Sequence, residues 1–425
     1  MKQRRQDYSY GPAENEQILL LSIGGIVGAG FFVGTRSSFA MAGPSLILTF
    51  FLIGTVAVIV NLFLIEMSLC GQKSLYFHQY VALALGPKAG LAVACAYILS
   101  MLVGPISELL AANMLLEQCA WDLGMPALHT KVLILTAVVI GIIPHKLLAR
   151  LESFVAFLKM FLLLSFGLIG LASILSLFSS QIASVGTIRF SSLSDIFPNG
   201  LRGTLAAGVG VIMMYGGTES IGLFEEKERG GSSNMLSLTY NIALRMVFVY
   251  TLATTALVGV LPYPLPEGVV SPLIYAMMLL GFDRTIGAIL TSVVLLSIFT
   301  LAMSDLFLAG RLFLRLFQDS SLYSRENSPI SREKASRAVG IIVRLLLFFA
   351  LILVLIGNLP YTTLFHLSGL GFLFIWIMLA LAFPKYCKKV NTARTPAKQY
   401  IRHPVLLQGI VLVTLSLCAL CFFLS

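Results

Sequence analysis

Four charged side chains lie inside long apolar stretches of this sequence: Glu66, Glu108, Lys159 and Glu219. A charge surrounded by apolar groups is costly, so such residues face protein or water and commonly serve ion or proton pathways. The five histidines, in contrast, do not cluster at metal-ligand spacing, and the sequence has no Ser-His-Asp arrangement and no phosphate-binding loop. The pattern therefore favours charge handling in an apolar setting, and we expect no catalysis, no cofactor and no metal.

Two glycine clusters interrupt apolar stretches that otherwise have helical length. The first contains Gly28-Ala29-Gly30, preceded by Ile26, and the second contains Tyr215-Gly216-Gly217. An unwound stretch exposes backbone N–H groups, and the N-terminus of the following half-helix adds a partial positive charge. Because glycine and alanine let a ligand approach the main chain closely, the first cluster suits an α-carboxylate.

The second cluster offers the complementary chemistry. Carbonyl oxygens released around Met214, Tyr215 and Gly216 can accept hydrogen bonds from an α-ammonium group. The side chain of Tyr215 is expected to cover the site, and Glu219 directly follows the break. For Glu219 two roles stay open: sensing substrate or protons, or capping the half-helix that begins there. Together the clusters predict a site for an α-amino acid.

The elements that position these residues are membrane-spanning helices. The chain has 425 residues, 58% of them hydrophobic and only 11% charged, too few charges to cover a soluble protein of this size. Apolar runs repeatedly approach the ~20 residues that cross a bilayer. Eleven spans are predicted: 17–41, 44–70, 89–118, 128–148, 152–178, 199–226, 239–262, 285–317, 338–357, 360–384 and 404–424.

The distribution of positive charge predicts the orientation. With the N-terminus inside, 21 of the 29 Lys and Arg residues fall in inner segments and 5 in outer ones. This asymmetry follows the positive-inside rule and places the chain in the cytoplasmic (inner) membrane, multi-pass, with a cytoplasmic N-terminus. It also explains the net charge of +10 without a nucleic acid partner. Membrane lipid is the expected surrounding.

The two glycine clusters lie five spans apart, in the first and sixth predicted spans. A repeat of five helices inserts in opposite orientation, because five is odd, and broken helices in corresponding positions are typical of such transporters. The predicted parts are a cytoplasmic tail (1–16), two five-helix repeats (17–178 and 199–384), and a basic connector with a terminal peripheral helix (385–425). Close helix packing is the alternative reason for glycine in a membrane helix.

Three motifs resemble the amino acid, polyamine and organocation (APC) transporters, and within them the bacterial amino acid permeases. They are Gly24–Gly34 with Ala42–Leu48 and Glu66-Met67; Tyr215–Gly222 with Glu225-Glu226-Lys227; and Arg245 with Phe248, Tyr250 and Leu261-Pro262-Tyr263. The resemblance implies an all-α, LeuT-like fold with broken helices 1 and 6 and an amino acid held between them. One departure lies in the eighth span, where the family's usual Asn-Ser-Gly is Met303-Ser304-Asp305.

The resemblance also bears on energy coupling. Many proton-coupled relatives carry a lysine at the position of Lys159, where its amine occupies the space of a sodium ion near the first-helix break and Ser304. On this interpretation Lys159 gains and loses a proton during transport. The alternative is that Lys159 lies near the inner end of its span and extends its amine to the interface. Glu66 and Glu108 also match acidic positions of the family; a structural or gate role is expected for Glu66.

These observations predict a secondary active permease that moves an amino acid, with the proton as coupling ion. A polyamine or organic cation transporter or exchanger is an alternative within the same class. A membrane sensor that kept the fold without transporting is an alternative of another class.

Overall fold

The computed structural model describes residue 28 and residues 30–70, 75–122, 145–175, 192–219, 232–319, 360–391 and 403–425, with scattered positions between 345 and 356. Within these ranges all regular structure is helical. Seven of the described helical segments are long and apolar enough to cross a membrane. The predicted tail 1–16 and the predicted span 128–148 lie outside the described residues, and the span 338–357 is described only in part.

The helices follow one another in chain order with short connections. A π-helical turn, Gly30–Gly34, opens the described chain. The α-helices are α1 (Thr35–Ala42), α2 (Leu46–Cys70), α3 (Phe77–Leu85), α4 (Pro87–Asp122), α5 (His145–Ile174), α6 (Leu193–Ile196), α7 (Gly200–Ala206), α8 (Gly208–Tyr215), α9 (Ser232–Val260), α10 (Pro272–Leu279), α11 (Arg284–Asp319), α12 (Tyr361–Asn391) and α13 (Pro404–Leu424).

Helix packing reflects an internal two-fold relation. In the first half, α5 packs against α9 and α11 of the second half; in the second half, α12 packs against α2 and α4 of the first. Likewise α2 packs on α9, and α4 packs on α11. Each helix of one repeat therefore finds the same kind of neighbour in the other, as an inverted repeat requires. The boundaries of the two halves stay a prediction.

The sixth predicted span is broken at its glycines. Helix α8 ends at Tyr215, Gly216 is extended, and Gly217 has a φ of 95°. This positive φ is the left-handed region, which residues with a Cβ rarely adopt, so glycine is needed at position 217. In the first span, regular structure begins at Gly30 with a π-helical turn, a feature that is frequent at functional sites.

Helix α5 has one lipid-facing stripe and one buried face. Phe154, Phe157, Phe161 and Leu168 recur at helical spacing and are more than half exposed. Lys159 points the other way and is fully buried. The sequence alternative in which Lys159 extends to the membrane interface is therefore wrong, because its amine is enclosed by protein.

Candidate functional site

A cavity lies where both helix breaks meet, in the middle of the bundle. Its volume is about 20 Å³, room for only one or two water molecules. The lining is small, apolar or acidic, and comes from both halves of the chain: Gly28, Gly30, Met101, Glu108, Met213, Met214, Gly216, Leu301, Asp305 and Phe372. The structure thus brings together Gly28, Gly30, Met214, Gly216 and Glu108 from the predicted set.

The first break approaches its neighbours closely. A Cβ added at Gly28 would lie 2.8 Å from Oε1 of Glu108 and would collide with the side chain of Leu301. A Cβ at Gly30 would lie 3.2 Å from Cγ of Met214. Glycine at position 28 therefore lets α4 and α11 pack against the main chain beside the cavity. Ile26 and Ala29, predicted for the same turn, lie outside the described residues.

The second break supplies backbone polar groups beside the same cavity. The N–H of Gly216 donates to the carbonyl oxygens of Ile212 and Met213, at 2.8 and 3.2 Å. The carbonyl oxygen of Met214, predicted to accept from an ammonium group, already accepts a hydrogen bond from the hydroxyl of Tyr250 at 3.3 Å. A ligand at this wall would therefore share the Met214 carbonyl with Tyr250.

Tyr215 does not line the cavity. Its hydroxyl donates to the carbonyl oxygen of Phe50 on α2 at 3.2 Å, and its ring packs against those of Phe50 and Tyr250. The side chain is fully buried in this aromatic group. Its placement corresponds to a packing residue that fixes the end of α8 on α2 and not to a cover over the ligand.

Glu219 is held by the break that precedes it. Its carboxylate accepts hydrogen bonds from the N–H of Gly217 at 3.2 Å, from the hydroxyl of Thr218 at 3.4 Å and from Nε1 of Trp376 on α12 at 3.4 Å. A carboxylate that accepts from free N–H groups stabilises an unwound turn. This geometry favours the capping role among the two that the sequence left open.

Lys159 forms a buried ion pair on its own helix. Its Nζ donates to Oε1 of Glu152 at 3.2 Å, two turns earlier on α5, and both side chains are almost fully buried. The other oxygen, Oε2 of Glu152, is buried without a hydrogen-bond partner. Because α5 packs on α11, this pair acts electrostatically on Asp305.

Two further predicted residues lie apart from the cavity. Ser304 does not line it, whereas its neighbour Asp305 does. Glu66 is buried on α2 close to the thiols of Cys70 and Cys387, whose sulfur atoms are 3.6 Å apart and join α2 to α12. This position fits the structural or gate role expected for Glu66.

Five lining residues were missed by the sequence reasoning: Met101, Met213, Leu301, Asp305 and Phe372. Of these, Asp305 had a usable signal, because a carboxylate inside an apolar span is a functional candidate by default. The other four are apolar, and nothing in their local sequence distinguishes them from ordinary core residues.

Known proteins resemble this chain over most of its length. The sequence profile of amino acid permeases matches residues 17–425. An uncharacterized transporter of Bacillus subtilis (strain 168), YdgF, is 26% identical over 423 residues, covering 95% of this chain and 89% of that protein. The gamma-aminobutyric acid permease of Bacillus subtilis (strain 168) is 23% identical over 391 residues, covering 90% and 81%.

A solved structure shares the fold. The crystal structure of MhsT in complex with L-phenylalanine matches with a TM-score of 0.59 and 16% identity, covering 96% of this chain and 98% of that one. MhsT has the LeuT fold, so the predicted all-helical, LeuT-like architecture with an inverted repeat is confirmed.

Proposed function

This chain belongs to the amino acid permease family, and we propose that it imports an amino acid across the cytoplasmic membrane in symport with protons. The observation that carries the proposal is the central cavity, where Gly28 and Gly30 of one break meet Met214 and Gly216 of the other. A multi-pass protein of the cell membrane with such a mid-bundle site has the arrangement of an alternating-access transporter.

The main chain of the first break reads the substrate carboxylate. The helix that begins at Gly30 presents its first N–H groups and the positive end of its dipole, and Ile26 and Ala29 complete this turn. The α-ammonium lies between the carboxylate of Glu108 and the free backbone oxygens near Gly216. An amino acid thereby has an oppositely charged partner for each of its two charges.

Protons couple through α5. The Lys159–Glu152 pair is buried, and one carboxylate oxygen of Glu152 lacks a partner, so the pair can accept a proton without breaking its hydrogen bond. Proton uptake there changes the charge that α5 presents to α11 around Ser304 and Asp305. No bound sodium is needed on this route, because the amine supplies the positive charge.

The topology proposed with this function keeps the N-terminus cytoplasmic and the two halves at 17–178 and 199–384. The connector that precedes α13 is basic and faces the cytoplasm, and α13 packs on α7 and α12 at the periphery. Glu66 lies at the cytoplasmic end of α2 and serves the inner gate.

Transport is tested with purified protein in proteoliposomes. Uptake of a panel of radiolabelled amino acids is measured with an inward proton gradient, with a sodium gradient, and with neither. We expect concentrative uptake of at least one amino acid under the proton gradient alone. Binding without uptake would indicate a sensor, and uptake that requires sodium would contradict the proton route.

Methionines set the size of the cavity. Met101 on α4 is buried and lines the cavity, which is too small for an amino acid until its lining moves. Methionine is unbranched and adaptable, so it yields to a ligand more easily than a branched side chain. Met101→Ala should improve competition by bulky amino acids about 10-fold relative to glycine, since one buried side chain is worth roughly 1–3 kcal/mol in such a pocket.

The matched control is Met278→Ala, because Met278 on α10 is 45% exposed and outside the cavity. Competition profiles of both variants against one labelled substrate decide the matter. An unchanged profile in Met101→Ala, or the same change in the control, would show that Met101 does not limit substrate size.

A further inference from the structure

The cavity holds more negative charge than a neutral amino acid can balance. Glu108 comes from α4 and Asp305 from α11, and among the described lining residues none is basic. A neutral amino acid brings one ammonium group, which one carboxylate satisfies. The second carboxylate then has no partner in a site with little access to water, which is an expensive arrangement for a charged group.

Asp305 is the surplus group. It is 6% exposed and, within the described part of the chain, has no hydrogen bond and no ion pair. The charges acting on it are those of Glu108, Glu152, Glu219 and Lys159. The cation among them is already paired with Glu152 at 3.2 Å, and Glu219 is held by Gly217, Thr218 and Trp376.

The two carboxylates stand at different heights in the cavity. Glu108 lies against Gly28, at the first break, whereas Oδ2 of Asp305 lies 3.5 Å from a Cβ placed at Gly104. Gly104 precedes Glu108 by one turn of α4, so the two carboxylates are separated by about 6 Å along that helix. This is the distance between the two amines of an amino acid with a short aliphatic basic side chain.

We infer that the substrate is a basic amino acid whose α-ammonium pairs with Glu108 and whose side-chain ammonium pairs with Asp305. The inference rests on the proposed function and adds the substrate class. Met101, Met213, Leu301 and Phe372 enclose the aliphatic part of that side chain. The side-chain charge of the substrate then neutralises Asp305, so neither charge remains unpaired in the bundle.

The test compares three probes that differ by one group each. L-Ornithine has both amines and the carboxylate, L-norvaline lacks the side-chain amine, and putrescine lacks the carboxylate. Dissociation constants are measured by calorimetry on the purified full chain. We expect ornithine to bind about 10-fold or more tightly than either other probe, since a hydrogen-bonded charge pair is worth about 1.5–3 kcal/mol.

Asp305→Asn should abolish the preference for ornithine over norvaline and leave norvaline affinity within a factor of about three. Asp305→Glu keeps the charge and should keep the preference. The control is Asp283→Asn, at the exposed start of the same helix, where the carboxylate accepts from the N–H of Thr285 at 3.1 Å. This change should leave all three affinities unaltered.

The outcomes separate this inference from the function beneath it. Equal binding of norvaline and ornithine by the parent protein, or an unchanged preference in Asp305→Asn, would overturn the inference while amino acid transport stands. If putrescine binds as tightly as ornithine, the site does not read a carboxylate and the amino acid assignment is wrong. If none of the probes or other amino acids binds, the proposed function fails with it. Should Asp305→Asn not fold, the ornithine-to-norvaline ratio of the parent decides.

Discussion

Lys159→Met should stop proton-driven uptake, with a loss on the order of 100-fold or more. The change removes the amine from a fully buried ion pair and leaves Glu152 without its partner. Breaking one side of a buried pair destabilises a protein by about 3–5 kcal/mol. A loss of uptake in this variant alone would therefore have two explanations: a missing proton carrier or a damaged fold.

The double variant Lys159→Met with Glu152→Gln separates them. It removes both charges together and keeps the volume of both side chains, so we expect the thermal stability of the parent to return. Proton-driven uptake should stay lost, because the pair that takes up the proton is gone. Wild-type dependence on an imposed pH gradient in the double variant would show that the pair is only structural.

Lys159→Arg adds a second comparison. A guanidinium keeps the positive charge beside Glu152 but does not release a proton under physiological conditions. We expect folded protein with little coupled uptake, whereas Lys388→Met, at an exposed position of α12, should behave as the parent. In the parent, uptake should rise as the outside is acidified, since external protons then load the pair.

The sequence predicted the frame of this molecule because its signals are local. Apolar length gives the spans, and glycine at position 217 reflects a backbone angle that can be inferred from one short motif. Glu108 and Lys159 stood out for a similar reason, because a charge in an apolar run is visible without knowing its neighbours. Each of these predictions depends on a few adjacent residues.

The composition of the cavity could not be predicted in the same way. Met101, Leu301 and Phe372 meet only because α4, α11 and α12 pack together across the two halves. Helical periodicity also fails at a break: Met214 and Gly216 face the cavity while Tyr215, between them, turns to α2. The direction of a side chain at an unwound turn depends on the packing around it, which no local pattern contains.

Gly28→Ala should weaken amino acid binding by about 10- to 100-fold, as expected when overpacking costs roughly 1–3 kcal/mol. The added methyl group would collide with Leu301 and press on the carboxylate of Glu108 at 2.8 Å. Both residues line the cavity, so the strain falls on the groups that hold the ligand. The main chain that reads the carboxylate would also be displaced.

Gly287→Ala is the matched control for this change. Gly287 lies on α11, the helix that carries Leu301 and Asp305, and a Cβ there meets nothing within 4 Å. Alanine is the better helix former, so this variant should fold and bind as the parent or slightly better. Affinities of both variants for one transported amino acid, measured on monodisperse protein, give the comparison. If Gly28→Ala binds as tightly as Gly287→Ala, the first break is not part of the binding site, and the carboxylate must be held elsewhere in the bundle.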